Sequence, residues 1–385
     1  MAGDDADKPS SAAGGDATTS ARRPAIGAAR SSPPPGKGAK SKVSGWDAAL
    51  VLVSAALTVI ALAKAVPSTS SRPGAVAASS APLPSLGALP KGAPTHEPDT
   101  EAPVSGCHFP DRGFGAWERW RSLEIPDLPV NDVRRAGRLL VPPGGALRDG
   151  ASFDLLIHFH GAEPVRKELA PLDLPLVVFA VDAGTRSSHY GRLLAEVGSF
   201  ERLLLAIDQQ IASITGRADA HAGHVAVSSW SAGYAAVSRA LVQAPKRVNA
   251  LLLLDSLYAS YAPNQQDVAK GSLDMYLAVA RAAARGETPF FLSHSGVKTD
   301  GYASTSEVAT ALLDGLGATS VAVSGDVEED EDVDEPRHAP LRLVRMYDAG
   351  RFVIRGYGGA GPDDHCAHLR LLKRALTEEV LPAFR

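Results

Sequence analysis

The stretch that decides the fold is HVAVSSWSAGYAAVSRAL, residues 224–241. It begins as an apolar β-strand, passes through the pentapeptide SWSAG and continues as an alanine-rich helix, with no residues left for a loop. A turn this tight strains the backbone of its central residue and lifts that side chain off the sheet, so it requires small residues two positions to either side. Ser229 and Gly233 meet this requirement, and Ser231 is the residue that is lifted.

Short apolar runs alternate with longer helical segments along the rest of the chain after Cys107. The predicted strands are 137–142, 153–159, 175–181, 224–229, 249–254, 289–293 and 351–357. The predicted helices are 199–214, 232–243, 266–285, 305–315 and 366–381. Continuously apolar strands that alternate with helices are typical of a mostly parallel sheet covered on both faces. The sequence therefore predicts an α/β fold, with a mostly parallel central sheet flanked by helices.

The strand, serine turn and helix resemble the nucleophile elbow of the α/β-hydrolase superfamily, a G-x-S-x-G turn between the fifth strand and its helix. Ser229 stands where the family has its first glycine, a mild departure because serine is also small. The resemblance covers about residues 107–385. It implies that Ser231 is the nucleophile of a hydrolase that works through an acyl-enzyme and needs no cofactor.

A second part of the resemblance is FDLLIHFHG, residues 153–161. In the superfamily, a strand that ends in His-Gly leads into a loop whose backbone N–H helps to form the oxyanion hole, and the residue after the nucleophile supplies the other donor. The resemblance therefore implies Ala162, or alternatively Gly161, as one donor and Ala232 as the other.

The superfamily places its general base after the last strand, at the start of the final helix. His365 occupies that place after a glycine-rich loop, and we prefer it to His368, which we expect to pack on the helix. Two positions stay open for the acid that orients the base. Asp255 directly ends one apolar run and Asp300 follows the next, and both give the chain order Ser, Asp, His.

The pair His158 and His160 points to a different class of hydrolase. Alternate residues of a strand face the same side, and His-x-His pairs hold zinc in some metal hydrolases. Further ligands would be needed, and none stands at a recognisable spacing. A metal-dependent hydrolase is thus the second prediction, and a non-catalytic protein that keeps the fold for binding is the third.

The first 105 residues differ in composition from the rest. Trp46 is the only aromatic residue before position 106, so this part lacks the side chains of a packed core. We predict a disordered tail at 1–45, a membrane-spanning anchor or signal peptide at 46–66, a Ser/Ala/Pro-rich linker at 67–105 and the catalytic domain at 106–385.

The apolar segment at 46–66 determines the predicted location. Within it, the largely apolar stretch from Ala48 to Val66 spans about 19 residues, which is just long enough to cross a bilayer. More Lys and Arg residues precede it than follow it, which favours a cytoplasmic N-terminus and an exported catalytic domain. A cleaved signal peptide ending at Ala63-Lys64-Ala65 is the alternative. We expect a domain that is periplasmic or extracellular, either anchored in the membrane or secreted after cleavage.

The chain has two cysteines, Cys107 and Cys366, too few for a disulfide-dense scaffold or a cysteine-rich zinc site. In an exported protein they can form one bridge, which would pin the start of the domain near His365.

The formal net charge is −4, and no folded segment is strongly basic. These features argue against nucleic acid as a partner. The expected partner is a small-molecule or lipid-like ester.

Overall fold

The computed structural model describes Cys107, residues 121–124 and residues 137–385, apart from gaps at 143–144, 149, 170–171, 173, 270, 325–326 and 329–339. All of them lie in the second of the two compact units into which the chain divides, Leu83–Arg385. The predicted tail, the membrane segment at 46–66 and the linker lie outside the described residues. Among the residues that are described, no helix is both long and apolar enough to cross a membrane.

Eleven strands of the described chain form one sheet. They are β1 (Arg121–Glu124), β2 (Gly137–Val141), β3 (Ser152–Phe159), β4 (Val177–Val181), β5 (His221–Trp230), β6 (Ala250–Leu254), β7 (Phe290–His294), β8 (Val321–Ala322), β9 (Val327–Glu328), β10 (Leu341–Ala349) and β11 (Phe352–Tyr357). Their order is β1-β2-β4-β3-β5-β6-β7-β11-β10-β8, with β9 paired to β10. The strands from β4 to β11 in this order are parallel, and the strands at both edges are antiparallel. The predicted parallel core is confirmed.

Eight α-helices pack on this sheet in the part of the chain that the structure describes. They are α1 (Ala162–Leu169), α2 (Ser187–Leu193), α3 (Ser199–Thr215), α4 (Tyr234–Gln243), α5 (Asp274–Ala284), α6 (Thr305–Leu316), α7 (Pro362–Ala367) and α8 (Leu371–Ala375). Alternate side chains of each central strand enter different cores. Leu251 and Leu253 pack in the hydrophobic core between the sheet and helices α2 to α6. Leu252 and Leu254 pack in the core on the opposite face, under helices α1, α7 and α8. The sheet is therefore covered on both faces, as predicted.

Two predicted helices have different bounds in the structure. The helix predicted at 266–285 begins only at Asp274, because Gly271 has a φ of +83° and interrupts the helical backbone. The helix predicted at 366–381 begins earlier, at Pro362, where the Asp364 carboxylate accepts the Gly361 N–H at 2.8 Å. After α7 it continues as 3₁₀, α and π turns rather than as one helix.

Strand β10 and helices α1 and α2 were not predicted. Charged residues interrupt the apolar ones at every third position of β10 (LRLVRMYDA), and most of its side chains are partly or fully exposed. Helix α1 (AEPVRKEL) has four charged residues and a proline, and α2 (SSHYGRL) contains a glycine. None of the three has the continuous apolar pattern on which the prediction depended.

Candidate active site

Ser231 lies where β5 meets the turn into α4. Its φ is +49°, in the left-handed region that L-residues rarely adopt, so the backbone carries the strain expected of an elbow. Gly233 has no room for a side chain, because a Cβ there would lie 2.1 Å from the Phe159 carbonyl oxygen. The turn can approach β3 this closely only with glycine at that position.

Ser229 contributes more than small size to this turn. The Ser256 hydroxyl donates to the backbone oxygen of Ser231 at 2.8 Å, and the Ser229 and Ser256 hydroxyls are also 2.8 Å apart. Because Ser256 gives its proton to Ser231, Ser229 is the donor in the second bond. The two serines thus tie the elbow to the loop that follows β6.

Asp255 and His365 form a buried pair beside the elbow. The His365 Nδ1 atom is 2.7 Å from Asp255 Oδ2, and each side chain is 1% exposed. The other oxygen, Oδ1, accepts the Ser295 N–H at 2.8 Å and the Thr305 hydroxyl at 2.6 Å. Three donors therefore hold the carboxylate in one orientation.

The protonation state of the pair follows from its surroundings. Burial by itself would raise the pKa of Asp255, but the imidazoles of His368 and His365 and the hydrogen bonds from His365 and Thr305 bring it well below its usual range. Asp255 is thus ionised at neutral pH and accepts hydrogen bonds only. The proton in the bond belongs to His365 Nδ1, which leaves Nε2 as the basic nitrogen.

Of the two acids that the sequence left open, the structure places Asp255 against His365. Asp300 is exposed in the segment between β7 and α6. The strand order explains this outcome, because β6 is the direct neighbour of β5 in the sheet and β7 is one strand further away. The end of β6 consequently lies next to the elbow.

Trp230 lies directly before Ser231 and contacts His365. Its indole stacks on the His365 ring at 5.1 Å and its N–H donates to the His365 backbone oxygen at 3.2 Å. It also stacks on His160 at 5.1 Å. Sequence reasoning missed this role, although a tryptophan directly before the predicted nucleophile was a visible signal.

No hydrogen bond joins the Ser231 side chain to His365 Nε2 in this structure. His365 Nε2 is buried without a hydrogen-bond partner among the described residues. Catalytic hydrogen bonds are often long or misaligned in free enzymes and tighten when substrate binds. The arrangement is compatible with a Ser–His–Asp triad in its resting form.

The two loop amides that the resemblance assigns to the oxyanion hole are paired elsewhere. The Gly161 N–H donates to Asp182 Oδ1 at 2.7 Å, and the Ala162 N–H donates to Asp182 Oδ2 at 3.0 Å. They are the amides at the start of α1, and a carboxylate is a common partner for such groups. This arrangement does not support Gly161 or Ala162 as an oxyanion donor. Ala232, directly after Ser231, stays a predicted donor.

His158 and His160 do not form the pair expected of metal ligands. His158 uses both ring nitrogens within the protein, with Ser228 Oγ at 2.9 Å and the His160 backbone oxygen at 2.9 Å. Strand β3 ends at Phe159 and His160 has a φ of +77°, so the expectation that the two histidines share a strand face is wrong. His160 Nδ1 bonds with the Tyr190 hydroxyl at 2.7 Å. The described residues contain no group of three or more His, Cys, Asp or Glu placed to hold a metal ion.

Three buried histidines predict a loss of stability below neutral pH. Burial lowers the pKa of His158 to about 3 and the pKa values of His160 and His368 to about 4, from an ordinary value of 6.5. Between about pH 6.5 and pH 4 the unfolded chain therefore binds protons that the folded chain does not. Each such proton lowers the free energy of unfolding by about 1.4 kcal/mol for each pH unit of acidification. For three histidines we expect a decrease of up to about 4 kcal/mol per pH unit as the pH falls through this window.

Urea unfolding at pH 7, 6 and 5 measures this slope. A His158→Gln variant removes one of the three groups, so its slope should be smaller by about 1.4 kcal/mol per pH unit. An unchanged slope in the variant would show that His158 does not stay neutral in the folded protein.

Cys107 and Cys366 are joined as a disulfide in the structure, with their Cα atoms 5.5 Å apart. Cys366 follows His365 directly and lies in α7. The bridge therefore ties the start of the domain to the helix that carries the candidate base.

The parallel sheet, the strained serine turn after a central strand and the chain order Ser, Asp, His are those of the α/β-hydrolase fold. No protein-family model matches the sequence, and no curated protein matches it significantly. The solved structures that it matches include esterases. The enterochelin esterase of Shigella flexneri is 14% identical over 69% of this chain and 59% of that one, with a TM-score of 0.38.

Two further solved structures are matched over nearly their whole length. Est1E from Butyrivibrio proteoclasticus is 12% identical over 69% of this chain and 98% of its own, with a TM-score of 0.32. The S-formylglutathione hydrolase of Staphylococcus aureus is 12% identical over 68% of this chain and 96% of its own, with a TM-score of 0.34. The chain spans less than two thirds of the length of the enterochelin esterase.

Proposed function

We propose that this protein is a serine hydrolase that cleaves a carboxylic ester. Ser231 is the nucleophile, His365 the general base and acid, and Asp255 the acid that orients the base. The observation that carries the proposal is the buried bond of 2.7 Å between His365 Nδ1 and Asp255 Oδ2, next to a strained serine turn.

The reaction proceeds through an acyl-enzyme. Ser231 Oγ attacks the carbonyl carbon as its proton passes to His365 Nε2, and the tetrahedral intermediate collapses when the alcohol leaves with that proton. A water molecule then gives a proton to the same nitrogen and attacks the acyl carbon. The second tetrahedral intermediate collapses as His365 returns that proton to Ser231 Oγ, which releases the acid and free Ser231. The Asp255 charge stabilises the imidazolium in both halves of the reaction.

The surroundings of Ser231 favour an uncharged acyl group. The ring of Tyr258 meets the rings of Tyr234 and Tyr302 edge to face, at 5.5 Å and 5.6 Å, beside the nucleophile. Aromatic faces and edges offer apolar contact area to a substrate. A small-molecule or lipid-like ester fits this environment.

We also propose that the catalytic domain works outside the cytoplasm, held to the membrane by the segment at 46–66. The Cys107–Cys366 bond supports this location, because structural disulfides persist mainly in oxidising compartments. Digestion of the domain by protease added to intact cells, or to spheroplasts, tests the proposal. Protection until the cells are lysed would contradict it.

Labelling with a fluorophosphonate probe tests the proposed chemistry. We expect the full chain to gain one probe mass and to lose ester hydrolysis in step with labelling, because the probe reacts with an activated serine. Ser231→Ala should gain no mass and should lose activity by a factor on the order of 10⁴ or more. Ser229→Ala removes the other serine of the pentapeptide and should still be labelled.

Labelling of Ser231→Ala to the same extent as the wild type would contradict the assignment of the nucleophile. Full activity in Ser231→Ala that is lost with a chelator would instead favour a metal-dependent hydrolase.

A further inference from the structure

His368 is a second buried histidine on the helical segment that carries the candidate base. It lies one turn after His365, directly after α7, and its side chain is fully buried. Burial lowers the pKa of His368 to about 4, so the ring is neutral at neutral pH. A neutral imidazole can still hold its neighbours through hydrogen bonds, because one ring nitrogen donates and the other accepts.

The ring of His368 is joined to strand β7 near its end. Its Nδ1 atom is 2.8 Å from the Ser293 hydroxyl oxygen, and the Tyr357 ring meets it edge to face at 5.3 Å. The other nitrogen, Nε2, is buried without a hydrogen-bond partner among the described residues. The contact with Ser293 therefore fixes the orientation of the ring.

Ser293 in turn holds the backbone of the candidate acid. The Asp255 N–H donates to the Ser293 backbone oxygen at 3.0 Å and to its hydroxyl oxygen at 3.2 Å. Asp255 needs such support, because its φ of +40° lies in the left-handed region that residues other than glycine rarely adopt. Ser293 thus helps to keep Asp255 in the conformation that directs its carboxylate at His365.

The acid and the base are therefore connected by two routes. The first is the bond of 2.7 Å between His365 Nδ1 and Asp255 Oδ2. The second begins one helical turn from the base, at His368, and passes through the Ser293 hydroxyl to the Asp255 N–H. Helix α7 has only six residues and follows a glycine-rich loop, so few hydrogen bonds of its own hold it in place. An anchor between this helix and the strand ends thus helps to set the distance between acid and base.

We propose that His368 is a positioning residue, which acts through Ser293 to hold the imidazole of His365 in place against Asp255. His368 does not touch the reacting atoms and exchanges no proton in the reaction. Its effect is on the geometry of the base, and through it on the rate of the chemical step. This inference rests on the proposed serine mechanism.

The test compares His368→Asn with His368→Gln. The amide of asparagine lies where Nδ1 of the imidazole lies, whereas the longer side chain of glutamine places its amide near Nε2. We expect His368→Asn to keep the contact with Ser293 and a kcat within about threefold of the wild-type value. His368→Gln should lose the contact and lower kcat by a factor of about 10 to 10², the effect of a base displaced by about 1 Å, with KM changed little. Glutamine is closer to histidine in volume, so a role in packing alone predicts the opposite order.

A second comparison tests the route through Ser293. If His368 acts through the Ser293 hydroxyl, His368→Leu should lower kcat by a factor of about 10 to 10² in the wild-type protein but by less than about threefold in Ser293→Ala. Ser228→Ala is the matched control. It removes a serine hydroxyl from another buried pair, in which Ser228 Oγ is 2.9 Å from His158 Nδ1. Because this pair is not part of the route, kcat of Ser228→Ala should stay within about threefold of the wild-type value.

Two further measurements separate positioning from folding. Titration with the fluorophosphonate probe counts the competent Ser231 sites, so kcat is expressed per folded site even in a partly unfolded preparation. Proton NMR follows the His365 Nδ1–H, which resonates far downfield while it is bonded to a carboxylate. Its signal should persist in the wild type and in His368→Asn, and should broaden through exchange with water in His368→Gln.

Equal kcat values for His368→Asn and His368→Gln, in a protein that Ser231→Ala inactivates, would overturn the inference and leave the proposed function standing. An equal effect of His368→Leu in the wild-type protein and in Ser293→Ala would do the same. Activity that survives in Ser231→Ala would instead remove the proposed function, and the role of His368 with it.

Discussion

Replacing Asp255 with asparagine is expected to lower kcat by a factor of about 10⁴, whereas Asp300→Asn should leave it within about twofold of the wild-type value. The difference follows from the position of each side chain. Asp255 Oδ2 accepts the His365 Nδ1 proton at 2.7 Å inside the protein. Asp300 is exposed to solvent.

The structure explains why a nearly isosteric change should have so large an effect. The Ser295 N–H and the Thr305 hydroxyl both donate to Asp255 Oδ1, so they would select the amide oxygen of an asparagine at that place. The amide NH₂ group would then face His365 and donate to Nδ1. The imidazole proton would be forced to Nε2, the nitrogen that must accept the Ser231 proton. The variant would fold but would hold its base in the wrong tautomer.

The measurement is kcat per active site, with sites counted by fluorophosphonate titration and folding followed by thermal denaturation. The two asparagine variants are controls for each other, because each removes one carboxylate charge. Loss of activity in Asp300→Asn together with full activity in Asp255→Asn would place the orienting acid after β7 and would contradict the assignment to the end of β6.

Loss of the Cys107–Cys366 bond is expected to lower the free energy of unfolding by about 3 to 5 kcal/mol. The bond joins residues that are 259 positions apart, so it removes much of the conformational entropy of the unfolded chain. Cys107→Ala is the cleaner substitution, since Cys107 is only partly buried whereas Cys366 is buried beside His365.

Urea unfolding measures this effect in the wild-type protein with and without reductant, and in the single and double variants. Because one bond is shared by both cysteines, the double variant should be little less stable than Cys107→Ala, and reductant should not affect either. A wild-type midpoint that does not change under full reduction would show that the bridge does not stabilise the domain.

Local patterns in the chain were sufficient for the elbow and most of the sheet. The pentapeptide around Ser231 specifies its own backbone, because a strand and a helix with no loop between them admit few conformations. The buried strands are apolar on both faces, so each could be recognised without knowledge of its neighbours. His365 was found through the family resemblance, which places the base at the start of the final helix, here after a glycine-rich loop. Strand β10 was missed because most of its side chains are partly or fully exposed and it lacks that pattern.

The partners of these residues depended on the tertiary structure. Asp255 rather than Asp300 contacts His365 because β6 lies next to β5 in the sheet. The order of the strands in the sheet could not be predicted from the spacing of residues along the chain. Asp182 meets the amides of Gly161 and Ala162 because the parallel strands β3 and β4 end side by side. The path of the loop after β6 likewise brings the Tyr258 ring against that of Tyr234. The sequence alone determined which short segments form strands, helices and the elbow, since these follow from neighbouring residues. Contacts between the ends of different strands were determined only by how the whole sheet assembles.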